Sequence, residues 1–189
     1  MKKVPTLFER DWFGDRSRVL RQVNPACAWI VAGEGVATRK WDGTAVLVRD
    51  GALWRRHDAR HGRRPPPGFE PADEPDVITG HWPGWAPVRR EHPSDCWFFT
   101  APIPNVDGTY EFCGPKVQGN PEGLDWHRYI RHGDTPYPDA PTDFDGICAW
   151  LAEHAMEGLV WHHPDGRMGK VKRRDLGLLW PVPRGLVER

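Results

Sequence analysis

Hydrophobic and polar positions alternate over several short stretches of the chain, which is the pattern of β-strands with one buried face. Arg49-Asp50-Gly51 separates two of these stretches and has the composition of a hairpin turn. The strand-like runs in the first third of the chain are residues 29–32, 36–38, 44–48 and 52–54. The pattern predicts an antiparallel sheet in this part of the chain.

The second half of the chain repeats this pattern and adds one helix. Residues 108–114 form a strand-like run, and residues 143–154 have apolar side chains at helical spacing, with Asp143 as a predicted N-cap. Two further strand-like pieces, 157–161 and 169–172, are joined by a turn. Short strands with little helix predict an α+β fold that is mostly antiparallel.

The prolines between residues 58 and 95 interrupt the alternating pattern. Proline cannot donate a ladder hydrogen bond, so this composition is expected to exclude a regular interior element. We therefore predict a single domain over residues 1–189 with an irregular proline-rich excursion at about 58–95, in which the one strand considered is a short one near residues 85–88.

Composition narrows the function classes. With 39% hydrophobic residues and 11 tryptophans the chain can build a core, and its formal net charge of zero provides no global field that attracts nucleic acid. Local basic clusters could still bind a polyanion, although a solvated face is the alternative for each of them. The clusters are Arg55-Arg56, Arg63-Arg64, Arg89-Arg90 and residues 170–174.

Cysteine usage and the N-terminal residues favour a reducing compartment. Cys27, Cys96, Cys113 and Cys148 form no C-x-x-C pair, which gives little support to zinc or to a disulfide framework. No apolar run resembles a signal peptide or a membrane span. The expected location is cytoplasmic, with no membrane partner and no obligate protein partner evident.

A lysine stands where a strand is expected to bury apolar side chains. Lys40-Trp41-Asp42-Gly43 fits the pattern K-x-D-G at the end of a strand, and a solvated turn is the simple alternative. A lysine nucleophile must lose a proton that it ordinarily holds up to about pH 10.4. Nearby cations lower that pKa and then stabilise the negative charge that develops on phosphorus. Lys170 and Lys172, two apart on a strand, are expected to share one sheet face.

Four motifs follow one another in a fixed order along the chain. They are Lys40-Trp41-Asp42-Gly43, Tyr110-Glu111-Phe112-Cys113-Gly114, Glu157-Gly158-Leu159-Val160 and Lys170-Val171-Lys172, with Trp54-Arg55-Arg56 as an intervening basic motif. This series resembles the covalent-lysine nucleotidyltransferase superfamily of ATP-dependent DNA and RNA ligases and mRNA-capping guanylyltransferases. The resemblance implies a two-sheet, mostly antiparallel nucleotidyltransferase fold of ATP-grasp-like architecture.

The resemblance also implies roles in nucleotide binding. Lys40 would be the covalent nucleophile, Gly43 would permit close backbone approach, and Glu111 would bind the ribose hydroxyls. Lys170 and Lys172 would act catalytically on the phosphates, and either Arg55 or Arg56 would contact a phosphate. The aromatic side chain that stacks on the base is unassigned, with Trp126, Tyr129 and Trp161 as candidates that could equally be core residues.

Two further sets of roles follow from the resemblance. Glu157 would hold a divalent metal or its water, with Asp42 near the nucleophile, and carboxylate oxygens suit Mg²⁺ or Mn²⁺. Arg173 and Arg174 would contact RNA. The chain departs from many superfamily members at Thr44 and Ala45, where an arginine or asparagine is common.

Only 17 residues follow Lys172, since 189 − 172 = 17, which is too few for the OB-fold domain of DNA ligases and capping enzymes. The motifs are most similar to those of minimal ATP-dependent RNA ligases, which seal 5′-phosphate and 3′-hydroxyl RNA ends through a lysyl-AMP intermediate. Two alternatives stay open. One is a transferase that adenylylates or caps an end without sealing it, and the other is a non-enzymatic RNA-binding module.

Overall fold

The computed structural model describes residues 2–60, 62–77 and 79–183, and the chain divides into two compact units. Unit 1 contains residues 1–3 and 42–132, and unit 2 contains residues 4–41 and 133–189. The boundary falls between Trp41 and Asp42, inside the K-x-D-G motif. The single domain predicted over residues 1–189 stays a prediction.

Unit 2 contains a four-stranded sheet, a separate pair of strands and two helices. Its strands are β1 (Phe8–Arg10), β2 (Val19–Val23), β3 (Val36–Lys40), β10 (Pro136–Tyr137), β11 (Gly158–His162) and β12 (Met168–Lys172). The sheet order is β10-β3-β11-β12, and β1 pairs with β2. Its helices are α1 (Ala28–Val31) and α2 (Phe144–Glu153), with 3-10 turns at Pro25–Cys27 and Arg174–Leu176.

Unit 1 contains a six-stranded sheet. Its strands are β4 (Thr44–Arg49), β5 (Ala52–Arg60), β6 (Glu70–Pro71), β7 (His81–Pro87), β8 (Gly108–Cys113) and β9 (Arg128–Arg131). They lie in the order β6-β7-β5-β4-β8-β9, and a 3-10 helix spans Pro93–Phe99. All pairs between named strands in both units are antiparallel, which confirms the mixed, mostly antiparallel α+β prediction.

The hairpin between β4 and β5 confirms the predicted turn. Asp50 and Gly51 connect the strands with φ angles of 51° and 72°. A two-residue turn with both φ angles positive matches the right-handed twist of the flanking strands. Strand β5 continues to Arg60, six residues beyond its predicted end at Trp54.

The prolines of the 58–95 segment do not exclude regular structure, which corrects the expectation from sequence. Strand β7 includes Pro83 and Pro87 and pairs along most of its length with β5. On its other side it pairs with the two residues of β6, and the carbonyl oxygens of Pro83 and His81 accept the backbone N–H groups of Ala72 and Asp76. A proline lacks only the N–H donor and keeps its carbonyl acceptor, so this short and irregular outer partner tolerates the prolines.

The predicted strand at residues 29–32 is also wrong, because residues 29–31 lie in helix α1. The Asn24 side chain accepts a hydrogen bond from the backbone N–H of Ala26, and Pro25 occupies the first position of the 3-10 turn that precedes α1. These residues start helical backbone geometry ahead of a sequence that is otherwise typical of a strand.

Helix α2 is confirmed within one residue of its predicted bounds. Asp143 accepts a hydrogen bond from the backbone N–H of Gly146 at 2.8 Å, as expected of an N-cap. Ile147 and Leu151 of this helix are fully buried in the core of unit 2. Within the described ranges, no helix combines the length and the apolar character required to cross a bilayer.

Candidate functional site

Three strands of unit 2 bring lysines together on one face of the four-stranded sheet. Lys40 ends β3 and pairs with Gly158 of β11, which in turn pairs with Lys172 of β12. Lys170 lies two residues before Lys172 and therefore projects from the same face. The predicted common face of Lys170 and Lys172 is confirmed, and Lys40 lies on it across β11.

Gly158 is required by the close approach of these strands. A Cβ atom at this position would lie 2.0 Å from the carbonyl oxygen of Val171 and 2.9 Å from the Cα atom of Lys172. Any side chain would therefore force β12 away from β11. Glycine keeps Lys40 and Lys172 in register on either side of position 158.

The carboxylate of Glu157 lies between two of these lysines. Its Oε2 atom pairs with the Nζ atom of Lys40, and its Oε1 atom accepts a hydrogen bond from Lys172 Nζ at 2.9 Å. Glu157 is 4% exposed. Burial by itself would raise the pKa of Glu157, but the ammonium groups of Lys40 and Lys172 outweigh burial and hold its pKa below the ordinary value.

Lys170 is a lysine of this cluster whose charged form is disfavoured by its surroundings. Burial and the positive charges of Lys172 and Lys40 lower the pKa of Lys170 to about 8. The carboxylates of Glu157 and Asp175 oppose this shift without cancelling it. The site therefore holds one lysine near the point at which it loses its charge at neutral to mildly alkaline pH.

Side chains from distant parts of unit 1 fix the end of the K-x-D-G motif. The backbone N–H of Gly43 donates to Glu111 Oε1 at 3.0 Å, and its carbonyl oxygen accepts from Gln118 Nε2 at 3.1 Å. The N–H of Asp42 donates to Glu122 Oε1 at 2.8 Å. Gln118 and Glu122 were missed by sequence reasoning, since only tertiary contact relates them to a motif about 75 residues earlier.

Gly43 also permits a close approach of the motif backbone to strand β8. A Cβ atom at this position would lie 2.3 Å from the carbonyl oxygen of Phe112 and 2.7 Å from the Sγ atom of Cys113. A larger residue would therefore separate the motif from strand β8. Glycine is the residue type that lets Glu111 on this strand reach the motif backbone.

Glu111 has a second fixed partner in His132. The Nε2 atom of His132 lies 2.9 Å from Glu111 Oε2, and its Nδ1 atom lies 2.9 Å from Thr109 Oγ1. Because a carboxylate only accepts hydrogen bonds, Nε2 is the protonated nitrogen in this contact. His132 therefore orients the carboxylate that was predicted to bind ribose, and no local sequence pattern identifies His132 as its partner.

The two arginines of the basic motif lie on opposite faces of the unit 1 sheet. Arg55 pairs in register with the buried Val46 and so projects from the core face. Its Nε atom lies 3.3 Å from Asp95 Oδ1, and Asp95 is 3% exposed. The same carboxylate accepts the backbone N–H of Arg89 at 3.0 Å. Arg55 is thus part of a buried ion pair that fixes the 3-10 helix spanning Pro93–Phe99.

Arg56 projects from the face that also carries Glu111. Val46 pairs with both Arg55 and Tyr110, so Arg56 and Glu111, each one residue further along, share the opposite face. The Nε atom of Arg56 lies 3.4 Å from Asp58 Oδ1. Sequence left Arg55 and Arg56 undecided as the phosphate ligand, and the register favours Arg56.

Arg173 is buried and holds the C-terminal end of helix α2. Its guanidinium donates to the carbonyl oxygens of Leu151, of His154 at 2.9 Å and of Leu179 at 2.8 Å. The carbonyl oxygens of Leu151 and His154 also accept the backbone N–H groups of His154 and Met156, so Arg173 adds a second donor to each of them. An RNA contact by Arg173 would require these hydrogen bonds to break.

Arg174 differs from its neighbour in exposure. Its side chain is exposed and donates one hydrogen bond to the carbonyl oxygen of Trp180 at 3.2 Å. The RNA contacts of Arg173 and Arg174 stay predictions, and the geometry makes Arg174 the more accessible of the two.

The three candidate aromatic side chains lie in different environments. Trp161 is 2% exposed in the core of unit 2. Tyr129 packs against the core of unit 1 and donates its hydroxyl to the carbonyl oxygen of Phe98. Trp126 is 63% exposed. The first two have structural roles, which leaves Trp126 as the accessible ring.

Unit 2 also contains a cavity at the other end of the face that carries Lys40. Val36 and Thr38 precede Lys40 by four and two residues, so all three project from this face. The cavity has a volume of about 470 Å³ and is lined by Gly35, Val36, Thr38, Gly133, Pro136, His162, His163 and Pro164. The lining combines apolar side chains with the hydrogen-bonding groups of Thr38, His162 and His163, and the cavity is open to solvent.

The carboxylates do not form a complete metal cage. Within the described parts of the chain, no group of three or more His, Cys, Asp or Glu side chains is placed to hold a metal ion. A magnesium ion bound through one carboxylate and substrate phosphates needs no such group. Both oxygens of Glu157 contact the ammonium groups of Lys40 and Lys172, so a metal ion at this carboxylate would have to share or displace one of these contacts.

Comparison with known proteins shows that the chain is similar to RNA ligases. Residues 99–189 match the family model described as RNA ligase 1. The chain is 31% identical to RNA ligase 1 of Danio rerio over 139 residues, which cover 54% of this chain and 43% of that protein. It is 30% identical to RNA ligase 1 of Rattus norvegicus over 141 residues, covering 56% and 43% of the two chains.

These matches confirm the resemblance to RNA ligases. The chain spans less than half the length of the curated relatives it matches. The region that matches the family model contains Glu111, Glu157, Lys170 and Lys172, whereas Lys40 precedes it.

Replacing Lys170 with methionine should stabilise the protein in a pH-dependent manner. Folding lowers the pKa of Lys170 from 10.5 to about 8, so the unfolded chain binds more protons between these values and wild-type stability rises with pH there. At pH 7 the shift corresponds to a cost of about 3 kcal/mol, which methionine avoids. Urea unfolding should show Lys170→Met more stable at pH 7, with the difference shrinking by pH 9.5.

The exposed Lys2 provides the control for this experiment. Lys2→Met should change the free energy of unfolding by less than about 0.5 kcal/mol at either pH. A stability difference for Lys170→Met that is constant from pH 7 to 9.5 would contradict the assigned pKa.

Replacing Arg173 with alanine should destabilise the protein strongly. The change removes three hydrogen bonds from a buried charged group and leaves carbonyl acceptors without this donor. We expect a loss of about 2–4 kcal/mol in the free energy of unfolding. The neighbouring Arg174→Ala change should cost less than about 1 kcal/mol, and equal urea midpoints for the two variants would contradict the structural role of Arg173.

Proposed function

We propose that the protein is an ATP-dependent RNA ligase that joins 5′-phosphate and 3′-hydroxyl RNA ends through a lysyl-AMP intermediate. The observation that carries the proposal is the contact of Lys40 and Lys172 with the buried carboxylate of Glu157 on one sheet face. The similarity of the chain to RNA ligase 1 proteins supports the choice of RNA as the substrate.

Lys40 is the proposed nucleophile. In the first step its amine attacks the α-phosphorus of ATP, a P–N bond forms, and the bond to pyrophosphate breaks as the amine loses its proton. In the second step an oxygen of the RNA 5′-phosphate attacks the same phosphorus and releases Lys40. In the third step a 3′-hydroxyl attacks the activated 5′-phosphate, forms the phosphodiester bond and expels AMP.

The lysines of β12 would stabilise the phosphorus as its charge increases. Lys172 already donates to Glu157, and Lys170 has a pKa of about 8 because of burial and its cationic neighbours. A phosphate beside Lys170 would offset that cost, since an anion favours the charged form of a lysine. We therefore propose that nucleotide binding makes the charged form of Lys170 favourable.

Other residues would bind the remaining parts of the nucleotide. Glu111, oriented by His132 and by the Gly43 N–H, is proposed to accept hydrogen bonds from the ribose hydroxyls. Arg56 is proposed to contact phosphate, because it shares a sheet face with Glu111. The cavity beside Thr38 is proposed to hold the base, since Thr38 is two residues or about 6.6 Å along the strand from Lys40.

A divalent cation, Mg²⁺ or Mn²⁺, is proposed to accompany ATP. Glu157 would hold it with substrate phosphates, and Asp42 remains a proposed contributor near the motif. The ion would neutralise phosphate charge when bound. The residues named in the preceding paragraphs are proposed to position the nucleotide without help from the metal ion.

Lys40→Met should abolish covalent labelling by α-labelled ATP while retaining the fold. Methionine keeps an unbranched side chain of similar length and removes only the amine. We expect wild-type protein with Mg²⁺ to give a labelled band on a denaturing gel, with the label mapping to Lys40 and absent in excess EDTA. Label on Lys116, Lys170 or Lys172 instead would contradict the assignment of the nucleophile.

Alanine at Lys170 or Lys172 should slow adenylylation of Lys40 by about 10²–10³-fold at saturating ATP. The effect should fall on the rate more than on ATP affinity, because these charges contribute most when phosphorus is most negative. Lys172→Arg should rescue poorly, since a planar guanidinium does not replace a compact ammonium. Single-turnover labelling measures each rate, with Lys2→Ala as the matched control. Wild-type rates in both alanine variants would contradict these roles.

Sealing itself requires a separate experiment. A labelled RNA with a 5′-phosphate and a 3′-hydroxyl should give a joined product with wild-type protein and ATP. Accumulation of the adenylylated end alone would instead support a transferase that activates RNA ends without joining them.

A further inference from the structure

One edge of the unit 1 sheet carries aromatic rings beside cations, outside the residues proposed to bind the nucleotide. The residues lie just before β9, in the loop after β8 and around the 3-10 helix. We name them the edge patch, which consists of Arg90, Trp97, Phe99, Lys116, Trp126 and Arg128.

Each ring of the edge patch has its own cation. The Arg90 Cζ atom lies 4.2 Å from the ring centroid of Phe99, and the Lys116 Nζ atom lies 5.9 Å from that of Trp97. The third pair has Arg128 Cζ 5.4 Å from the Trp126 ring. All three distances are within the range of cation–π attraction.

His127 connects two of these pairs. Its ring centroid lies 5.8 Å from that of Trp97, and its Nε2 atom accepts the backbone N–H of Lys116 at 3.2 Å. His127 also stands between Trp126 and Arg128 in the sequence. His127 thus contacts the Trp97–Lys116 pair in space and joins the Trp126–Arg128 pair along the chain, at the edge of the sheet formed by β9.

The exposure of the tryptophans distinguishes the edge patch from the remaining surface. Among the described residues, the markedly exposed tryptophans are Trp12, Trp97 and Trp126, at 59%, 41% and 63%. Two of these three belong to the edge patch, and each lies beside a cation. Exposed aromatic and cationic groups in one patch usually mark a binding surface rather than packing.

We infer that the edge patch binds single-stranded RNA next to the end that is to be joined, an inference that rests on the proposed function. Unpaired bases have flat apolar faces that stack on tryptophan, and the phosphates between them require cations at short intervals. The patch supplies both, whereas a protein partner would require a larger apolar area. Glu91 and Asp125 are exposed beside the patch and reduce its net charge, so stacking supplies more of the affinity than charge does.

RNA binding can be measured without turnover in the Lys40→Met protein. Fluorescence anisotropy with a labelled single-stranded RNA of about 20 nucleotides gives the dissociation constant. Trp97→Ala and Trp126→Ala should each weaken binding by about 5- to 100-fold, because each removes a stacking platform. Lys116→Ala should weaken binding and reduce the slope of log affinity against log salt by about 0.7.

Matched controls come from exposed residues of the same types elsewhere in the chain. Trp12→Ala and Lys2→Ala should leave the dissociation constant within twofold of the parent protein. Fully paired RNA, whose bases are stacked on each other, should bind at least about tenfold more weakly than single-stranded RNA. Equal affinity for the duplex, or equal losses in the controls and the patch variants, would overturn the inference.

Measuring adenylylation together with RNA binding shows whether the edge-patch inference or the proposed ligase function is wrong. Trp97→Ala and Lys116→Ala in protein with Lys40 intact should label with α-labelled ATP at the wild-type rate and seal RNA more slowly. Normal labelling with unchanged RNA affinity in these variants would overturn the edge patch alone. Absence of labelling in wild-type protein, with RNA binding still dependent on Trp97 and Lys116, would overturn the ligase proposal and support the edge patch.

Discussion

The contact of the Glu157 carboxylate with Lys40 and Lys172 is the interaction on which the organisation of unit 2 depends. A buried carboxylate loses its hydration, and only opposite charges at hydrogen-bonding distance compensate for that loss. Here the two ammonium groups come from strands on either side of β11. The contact can form only if β3, β11 and β12 are paired in this register. The strand pairing and the charge cluster therefore stabilise each other, and a shift of one residue would place Lys40 or Lys172 on the apolar side of the sheet.

The charged groups of this cluster have opposite effects on the pKa of a lysine nucleophile. A carboxylate partner favours the ammonium form, whereas neighbouring cations favour the neutral amine. Glu157 pairs with Lys40 and so exerts the first effect on it, whereas the positive charges of Lys172 and Lys40 exert the second on Lys170, whose pKa is lowered to about 8 mainly by burial. A phosphate beside Lys170 would favour its ammonium form, which is the electrostatic basis of the proposed phosphate contact.

Sequence predicted the elements whose signals are local and missed those that depend on tertiary pairing. Asp143 and the apolar spacing behind it defined α2, and the two-residue period placed Lys170 and Lys172 on one face. The segment 29–32 was assigned to a strand because its side chains favour β structure, yet the cap provided by Asn24 starts a helix there. The prolines of β7 were misleading because their compatibility depends on the short neighbouring strand β6.

The site residues likewise divide into those that local motifs identify and those that only tertiary contacts reveal. The motifs located Lys40 and Glu157, but no local pattern connects Gly43 with Gln118 or Asp42 with Glu122, because these hydrogen bonds join residues that are 75 and 80 positions apart. Arg55 and Arg56 are adjacent and have the same side chain, so the sequence alone cannot distinguish them. The strand register assigns Arg55 to the core face and Arg56 to the face of Glu111. Arg173 was grouped with Arg174 as an RNA ligand because both directly follow the Lys170-Val171-Lys172 motif, and only the structure shows that Arg173 is buried whereas Arg174 is exposed.

The chain has a formal net charge of zero, and this limits how the proposed RNA substrate could be recognised. A neutral protein cannot rely on a long-range field, so its RNA affinity must come from contacts of short range. Stacking on exposed rings meets this condition, because it requires contact and does not depend on salt to the extent that phosphate contacts do. It also selects unpaired bases, whose faces are accessible, over helical RNA. An enzyme proposed to join strand ends benefits from such a preference, since ends present unpaired nucleotides more often than the interior of a folded RNA does. The zero net charge is therefore compatible with the proposed role of the edge patch, since stacking on exposed rings would supply RNA affinity that a long-range field cannot.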